Sequence, residues 1–444
     1  MANTEKSFKK HYLPASAADY VPRHFLESVQ LQRLQDVVQH AYHNQAGGLY
    51  RQRMDEAKVR PDAIRSLNDI QQFPFMTKDD LRASYPYGLF AVPQQEVVRI
   101  HASSGTTGKP IVAGYTQADL DVWADSMARC MGAASLSSHD VIQVSYGYGL
   151  FTGGLGAHCG AEKIGAMVVP TSAGNTERQI MLMQDLGVTA ICCTPSYFLH
   201  LAEKAGEMGV QLKNLKIRAG IFGAEPWSEA MRERIQNETW IKAHDIYGLT
   251  EIIGPGVAIE CAEQNGLHIL EDYYYPEIID PETLQPLPDG EEGELVITTL
   301  AKRAMPMIRY RTRDITSIMA DQCYCGRTIR RIRRIGRRSD DMLIIRGVNV
   351  YPSQIEAALL KIDGLLPHYQ IVITRESGLD NMEIKVELAP ELFGDRIQEL
   401  ESLQKRIAHA VNTTLNISAK ITFAEPKSIA RSEGKAKRVI DKRG

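Results

Sequence analysis

A chain of 444 residues is too long for one hydrophobic core, so two or more domains are expected. Hydrophobic residues at 44% and charged residues at 24% are ordinary for a globular protein, and a net charge of −3 gives no general pull toward nucleic acid or anionic membrane. No apolar run reaches the roughly 18 residues of a membrane span, and the first ten residues have no signal-peptide form. Seven scattered cysteines, an odd count, argue against a secreted disulfide framework and for a reducing cytoplasm.

In chain order, residues 1 to about 90 read as helical and polar, a cover on the main domain with no chemistry of its own. Leu31, Leu34, Val37 and Val38 recur at helical spacing and should face a core. Thr77, followed by Lys78, Asp79 and Asp80, reads as a helix N-cap with an acidic first turn. Next comes His101-Ala-Ser-Ser-Gly-Thr-Thr-Gly-Lys-Pro110. Its glycines let several N–H groups converge into an anion-binding nest, and Ser103, Ser104, Thr106, Thr107 and Lys109 add hydroxyls and a charge. It is not a Walker-type P-loop. Only Thr106 and Thr107 separate Gly105 from Gly108, and Pro110 follows the lysine. Alone, such a string reads equally as a surface linker.

From about 139 to 247 the period alternates. Strands are expected over 141–144, 164–169, 188–193, 217–222 and 239–246. Helices are expected over 176–186, with Thr176 as the cap, over 195–208, and from Pro226. That alternation predicts an α/β fold with a parallel sheet, in which ligands lie beyond the carboxyl ends of strands. Gly223-Ala-Glu225 and Tyr247-Gly-Leu-Thr-Glu251 both follow strands directly. Residues 255–320 turn β-rich, with a hairpin around Pro281–Gly290. The arginine-rich run Arg327 to Arg338 interleaves Ile329, Ile332 and Ile335. It reads as a strand with one buried face and lacks the aromatic platform of a nucleic-acid binder. Residues 341–444 read as a small α+β unit, with helices over 353–361 and 397–415 and strands over 370–374, 383–388 and 421–424.

The nest, Tyr247-Gly-Leu-Thr-Glu251 and Tyr310-Arg-Thr-Arg-Asp314, in this order, resemble the adenylate-forming superfamily of acyl- and aryl-coenzyme A synthetases. Ser145-Tyr-Gly-Tyr-Gly-Leu-Phe-Thr-Gly-Gly-Leu-Gly156, Phe222-Gly-Ala-Glu-Pro-Trp227 and Arg338-Ser-Asp-Asp-Met-Leu-Ile-Ile-Arg-Gly-Val-Asn349 narrow the resemblance to the phenylacetate–coenzyme A ligase family. It implies a large adenylating domain, 1–339, and a small mobile α+β domain, 340–444. It further implies ATP, Mg2+ and coenzyme A as reactants and cofactor, and a homodimer. The acid would be phenylacetate or another aryl or arylacetic acid, and the acceptor coenzyme A or a carrier-protein thiol.

The resemblance also implies roles. Ser103, Ser104, Gly105, Thr106, Thr107, Gly108 and Lys109 would hold the β- and γ-phosphates, and Thr250 the α-phosphate. Glu251 would ligate magnesium. Tyr247 would offer a face for adenine stacking, Gly223, Ala224 and Glu225 would border the purine, Asp245, Ile246 and Gly248 would belong to the ATP-binding set, and Asp314 would bind the ribose. Arg338 would meet phosphate or ribose oxygens, although Arg337 stands where the family has glycine, which leaves open which arginine points inward. Asp340 would be the hinge and Lys435 the mobile lysine at the α-phosphate, with Lys437 a close competitor. Tyr146, Phe151, Gly153, Gly223 and Pro255 would enclose the acid's ring, with Gly154 and Gly156 leaving room. Separately, Cys261, His268, Cys323 and Cys325 offer three sulfurs and an imidazole, a set suited to tetrahedral structural zinc (Zn2+), or four unrelated side chains.

Overall fold

The computed structural model describes residues 14–103, 110–339, 343–346, 348–362, 365–376, 379–388, 397–415, 417–431, 436 and 438–443. Helices α1 (Arg23–Asn44), α2 (Leu49–Glu56) and α3 (Lys78–Ala83) come first. Leu34, Val37 and Val38 are buried on α1 and Leu31 packs at its edge, as the spacing predicts. At α3 the Asp80 carboxylate accepts from the N–H and the hydroxyl of Thr77, both at 2.8 Å, which closes the helix start.

Strands β1 (Arg99–Ala102) and β2 (Val112–Tyr115) pair antiparallel, and α4 (Gln117–Ala133) follows. Then β3 (Val141–Val144), α5 (Thr152–Lys163), β4 (Met167–Val169), α6 (Thr176–Asp185), β5 (Ala190–Cys193), α7 (Pro195–Glu207), β6 (Ala219–Phe222), α8 (Glu229–Thr239) and β7 (Lys242–Leu249) alternate. The strands lie in the order β4-β3-β5-β6-β7, all parallel. Chain direction across the sheet reverses at β3, so a crevice opens beyond the carboxyl ends there.

Several boundaries differ from the sequence reading, for local reasons. The strand expected from 164 starts at Met167, because α5 runs on to Lys163 and Gly165, at φ +78°, turns the chain. The α6 cap is Asn175, in the left-handed region, and Thr176 is the first helical residue. Helix α8 starts at Glu229, because the Ser228 hydroxyl accepts from the Met231 N–H at 3.2 Å, a stronger start signal than Pro226. Thr239 ends that helix and does not begin β7.

Strands β8 (Gly254–Glu260) and β9 (Leu267–Ile269) continue the sheet antiparallel. A second, antiparallel sheet holds β10 (Tyr274–Ile279), β11 (Gly293–Thr299) and β12 (Tyr310–Thr316). Strands β13 (Ile318–Met319) and β14 (Arg331–Ile332) finish the first sheet, and β15 (Arg337–Arg338) edges the second. In the arginine-rich run Ile329 and Ile332 are buried, while Arg330, Arg331 and Arg334 pair with Glu271, Asp321 and Asp245. Fully buried Arg129 binds Asp19 and Asp272 at 2.6 and 2.8 Å and fastens the N-terminal segment to α4.

Strands β16 (Leu343–Ile345) and β17 (Val348–Val350), helix α9 (Pro352–Leu359), strands β18 (Leu365–Glu376) and β19 (Leu379–Leu388), helix α10 (Ile397–Leu415), and strands β20 (Lys420–Ala424) and β21 (Val439–Asp441) follow. Ile371, Ile384, Val386, Ile407 and Val411 form a core of their own here.

Candidate active site

A cavity of about 230 Å³ lies beyond the carboxyl ends of β6 and β7. The turn after β6 supplies Ala224, Glu225, Pro226 and Trp227, and β7 with the turn after it supplies Asp245 through Glu251. Strand β12 supplies Tyr310, Thr312 and Asp314, and β15 supplies Arg338. Most of the residues expected from the motifs therefore converge. Gly223 is not on the wall. It packs behind it, where a Cβ would sit 2.4 Å from the Ile246 carbonyl oxygen. At Gly248 a Cβ would sit 1.9 Å from the Gly254 carbonyl oxygen, so only glycine fits between β7 and β8.

The Tyr247 hydroxyl donates to Asp314 Oδ2 at 2.6 Å, and Arg338 Nη1 lies 3.2 Å from Asp314 Oδ1. Burial, then the Asp314 carboxylate, push the Tyr247 phenol well above its ordinary range, so it stays a neutral donor. Arg338 is the arginine that faces the cavity. Arg337 pairs with Glu292 and stacks over Tyr351. Asp245 accepts from Trp227 Nε1 at 2.9 Å and Arg334 Nε at 3.1 Å, and so braces the wall. Glu225 also stands on the wall, but its carboxylate spans two other groups. Oε1 accepts from the Ser196 N–H at 2.8 Å and Oε2 from the Ala436 N–H at 2.9 Å.

At the other end lie Tyr146, Phe151, Gly153 and Pro255, with the two rings tilted and 6.5 Å apart. The glycines beyond them serve packing and do not widen the pocket. A Cβ at Gly154 would meet the Gly147 carbonyl oxygen at 2.7 Å, and one at Gly156 the Trp123 ring at 2.6 Å. Trp123 in turn donates to the Pro255 carbonyl at 2.9 Å.

Thr250 and Glu251 are buried on the floor. Lys78 Nζ lies 4.0 Å from the Glu251 carboxylate, so the N-terminal segment, read from sequence as chemically silent, contributes a cation. One signal was available. A lysine in the first turn of a helix opposes the helix dipole and needs another reason to be there. Ser103 also lines the cavity. Ser104 to Lys109, Asp340, Lys435 and Lys437 lie outside the described residues.

Away from the cavity, one ligand atom each from Cys261, His268, Cys323 and Cys325 falls within 4.8 Å of the others. Cys261 Sγ is 3.6 Å from Cys323 Sγ, and Cys325 Sγ is 3.3 Å from His268 Nε2. The hydrogen bond from Cys261 holds the Cys325 thiol well below its ordinary range. No described helix is long and apolar enough to cross a membrane.

Residues 38–301 match the family model for AMP-binding enzymes, and residues 347–443 match the AMP-binding enzyme C-terminal domain. The chain is 50% identical to a phenylacetate-coenzyme A ligase of Escherichia coli strain K12, over 94% of this chain and 95% of that protein. It is 49% identical to one from Aromatoleum evansii, over 94% of each. The chain belongs to the phenylacetate–coenzyme A ligase family of AMP-binding enzymes. A crystal structure of 2-hydroxyisobutyryl-CoA ligase in the postadenylation state superposes on this family member with a TM-score of 0.91 at 32% identity, covering 98% of this chain and 95% of that one. With the same ligase in the thioesterification state the TM-score is 0.70 at the same coverage.

One buried cation of this ligase fold lies just below the site. Lys302 Nζ donates to the Glu251 carbonyl oxygen at 3.3 Å and sits 4.8 Å over the Tyr115 ring. Burial pulls its ammonium down to about 8, against the opposing carboxylates of Asp119 and Glu251. The folded chain therefore releases this proton before the unfolded chain does, and stability gains from Lys302 deprotonation as pH rises from about 8 toward the ordinary 10.5. Lys302→Met removes that gain. Urea unfolding at pH 7.5 and pH 9 should show the wild-type-minus-variant difference growing by about 1 kcal/mol. Parallel pH dependences would contradict the buried charge.

Proposed function

We propose that this enzyme joins phenylacetate to coenzyme A at the expense of ATP, through an acyl-adenylate, with release of AMP and pyrophosphate. The observation that carries the reading is the single cavity that has Tyr146 and Phe151 at one end and Tyr247, Asp314 and Arg338 at the other. In the first half-reaction a carboxylate oxygen attacks the α-phosphorus, and pyrophosphate leaves with the electron pair of the broken bond. In the second, the thiol attacks the activated carbonyl and AMP leaves.

The chain's own groups divide this work. The Tyr247 face borders adenine, and Asp314, held by Tyr247 and Arg338, takes the ribose hydroxyls. Ser103 opens the loop that would grip the β- and γ-phosphates together with Ser104 to Lys109. Thr250 meets the α-phosphate. Glu251 fits magnesium as it fits a metal that arrives with the nucleotide, since one carboxylate beside a lysine is a poor site for the bare ion. When bound, Mg2+ would neutralise phosphate charge as the α-phosphorus bond breaks. Lys78 adds a second positive charge beside Glu251, and Lys435 a third from the C-terminal segment. The tilted pair Tyr146 and Phe151, over Gly153 and Pro255, suits a flat ring better than a long alkyl chain. Residues 1–339 and 340–444 act as two bodies that turn about Asp340 between the half-reactions. The family reading extends to a cytoplasmic homodimer.

Acid-dependent exchange of labelled pyrophosphate into ATP tests the reading. Phenylacetate should support exchange far better than a medium-chain fatty acid, and Asp314→Ala should cut kcat/KM for ATP by about 100-fold, the loss of two charge-assisted hydrogen bonds. Exchange without dependence on acid would refute it.

The cysteine cluster fits structural zinc, because one ligand atom from each of three cysteines and one histidine falls within 4.8 Å of the others, the donor set that tetrahedral zinc takes. Plasma mass spectrometry of chain purified without chelators should find about one zinc per chain, and Cys325→Ser should lose it. Metal-free wild type with all three thiols of the cluster free to titrate would contradict the assignment.

A further inference from the structure

Residues 432–435 lie outside the described residues, but both neighbours of that segment are held by carboxylates of the large domain. On one side Arg431 forms a double contact with Glu203 of α7, Nε to Oε2 at 3.3 Å and Nη2 to Oε1 at 3.0 Å. The opposite edge of the same guanidinium grips fully buried Glu387 of β19 with two bonds of 2.6 Å. Arg431 is thus a rigid fork between a large-domain carboxylate and a small-domain one, the use for which a planar guanidinium is suited and a lysine is not. On the other side the Ala436 N–H donates to Glu225, whose second oxygen is fixed by the N–H and hydroxyl of Ser196 in the first turn of α7. Both anchors therefore rest on one helix. Glu225 projects from the first turn after β6, on the wall of the cavity, and Glu203 is two helical turns further along α7 from Ser196.

Other contacts cross the same seam. His368 of β18 lies 3.5 Å from Glu203, and Lys427 pairs with Glu207. The Glu356 carboxylate of α9 accepts from the Ser228 N–H at 3.2 Å and from the Tyr369 hydroxyl at 3.0 Å. None of these brackets residues 432–435 as Glu203 and Glu225 do. The arrangement in which both anchors are made superposes at 0.91 on a relative in its postadenylation state and at 0.70 on that relative in its thioesterification state.

We propose that Glu203 and Glu225 are positioning residues for the adenylation half-reaction. They clamp the C-terminal segment at Arg431 and Ala436 against α7 while the acyl-adenylate forms, and the clamp opens for thioester formation. This assigns Glu225 a role different from bordering the purine. The proposal rests on the reading above in which Lys435 serves adenylation, and the two are separable by experiment.

Glu225→Ala should lower the maximal rate of pyrophosphate–ATP exchange with phenylacetate by about tenfold, as the loss of one charge-assisted hydrogen bond implies, and Glu203→Ala, which loses two, by at least as much. The KM for ATP should stay near that of the wild type. Thioester formation from supplied phenylacetyl-adenylate and coenzyme A should be undiminished. Hydrogen–deuterium exchange across 427–443 should quicken in both variants, whereas Lys435→Ala should lose adenylation with that exchange unchanged. If Lys435→Ala retains adenylation while the glutamate variants lose it, the lysine reading falls and the clamp stands. If Lys435→Ala loses adenylation and the glutamate variants keep it, the clamp falls. Equal loss of both half-reactions, or a rise confined to the KM for ATP in Glu225→Ala, overturns the clamp as well.

Discussion

The contact on which the site depends is the one that Asp314 makes with Tyr247 and Arg338. Tyr247 belongs to β7 of the mixed nine-stranded sheet, whereas Asp314 and Arg338 belong to β12 and β15 of the antiparallel one. A carboxylate buried at a junction of two sheets is costly unless donors reach it. Here a phenol from one sheet and a guanidinium from the other do so, and the junction closes one end of the cavity. The other end is closed differently, by aromatic rings laid on glycine-permitted packing of α5 against α4. A polar end and an apolar end thus face each other across one space, which is what a reaction between a nucleotide and an aromatic acid needs.

Charge is laid around that space before any substrate enters. Glu251 is buried, with Lys78 4.0 Å from its carboxylate and Lys302 bonded to its carbonyl. Groups fixed in this way in a poorly solvated cavity act more strongly than in water and need no rearrangement as charge builds at phosphorus. Across the seam between residues 1–339 and the C-terminal residues, carboxylates meet backbone N–H groups at Ala436 and Ser228 and the side chains of Arg431, Lys427 and His368, contacts that can be exchanged for water at modest cost.

The parallel core was legible because its strands are short β-branched and apolar runs set between helical periods. The motifs were legible because they sit directly after such runs, at the carboxyl ends where ligands bind. What stayed hidden depended on contacts across the fold. Helix α5 contains Gly153, Gly154, Gly156 and Gly160, a poor helix by propensity, yet a Cβ at Gly160 would meet Met127 at 2.3 Å, so close packing on α4 overrides propensity. Lys78 and Lys302 reach the site from segments with no motif. Glu225 lay within a recognisable motif, but its partners Ser196 and Ala436 are 29 and 211 residues away, and no spacing could announce them.

The central claim is that this cavity joins a carboxylate oxygen to the innermost phosphorus of ATP. Phenylacetate labelled with oxygen-18 in its carboxyl group tests it most directly, with the products of a complete reaction with ATP and coenzyme A separated and weighed by mass spectrometry. The account predicts one labelled oxygen in AMP and none in pyrophosphate, because the bridging oxygen of the adenylate comes from the acid and departs with AMP. Label in inorganic phosphate, with ADP as the nucleotide product, would contradict it.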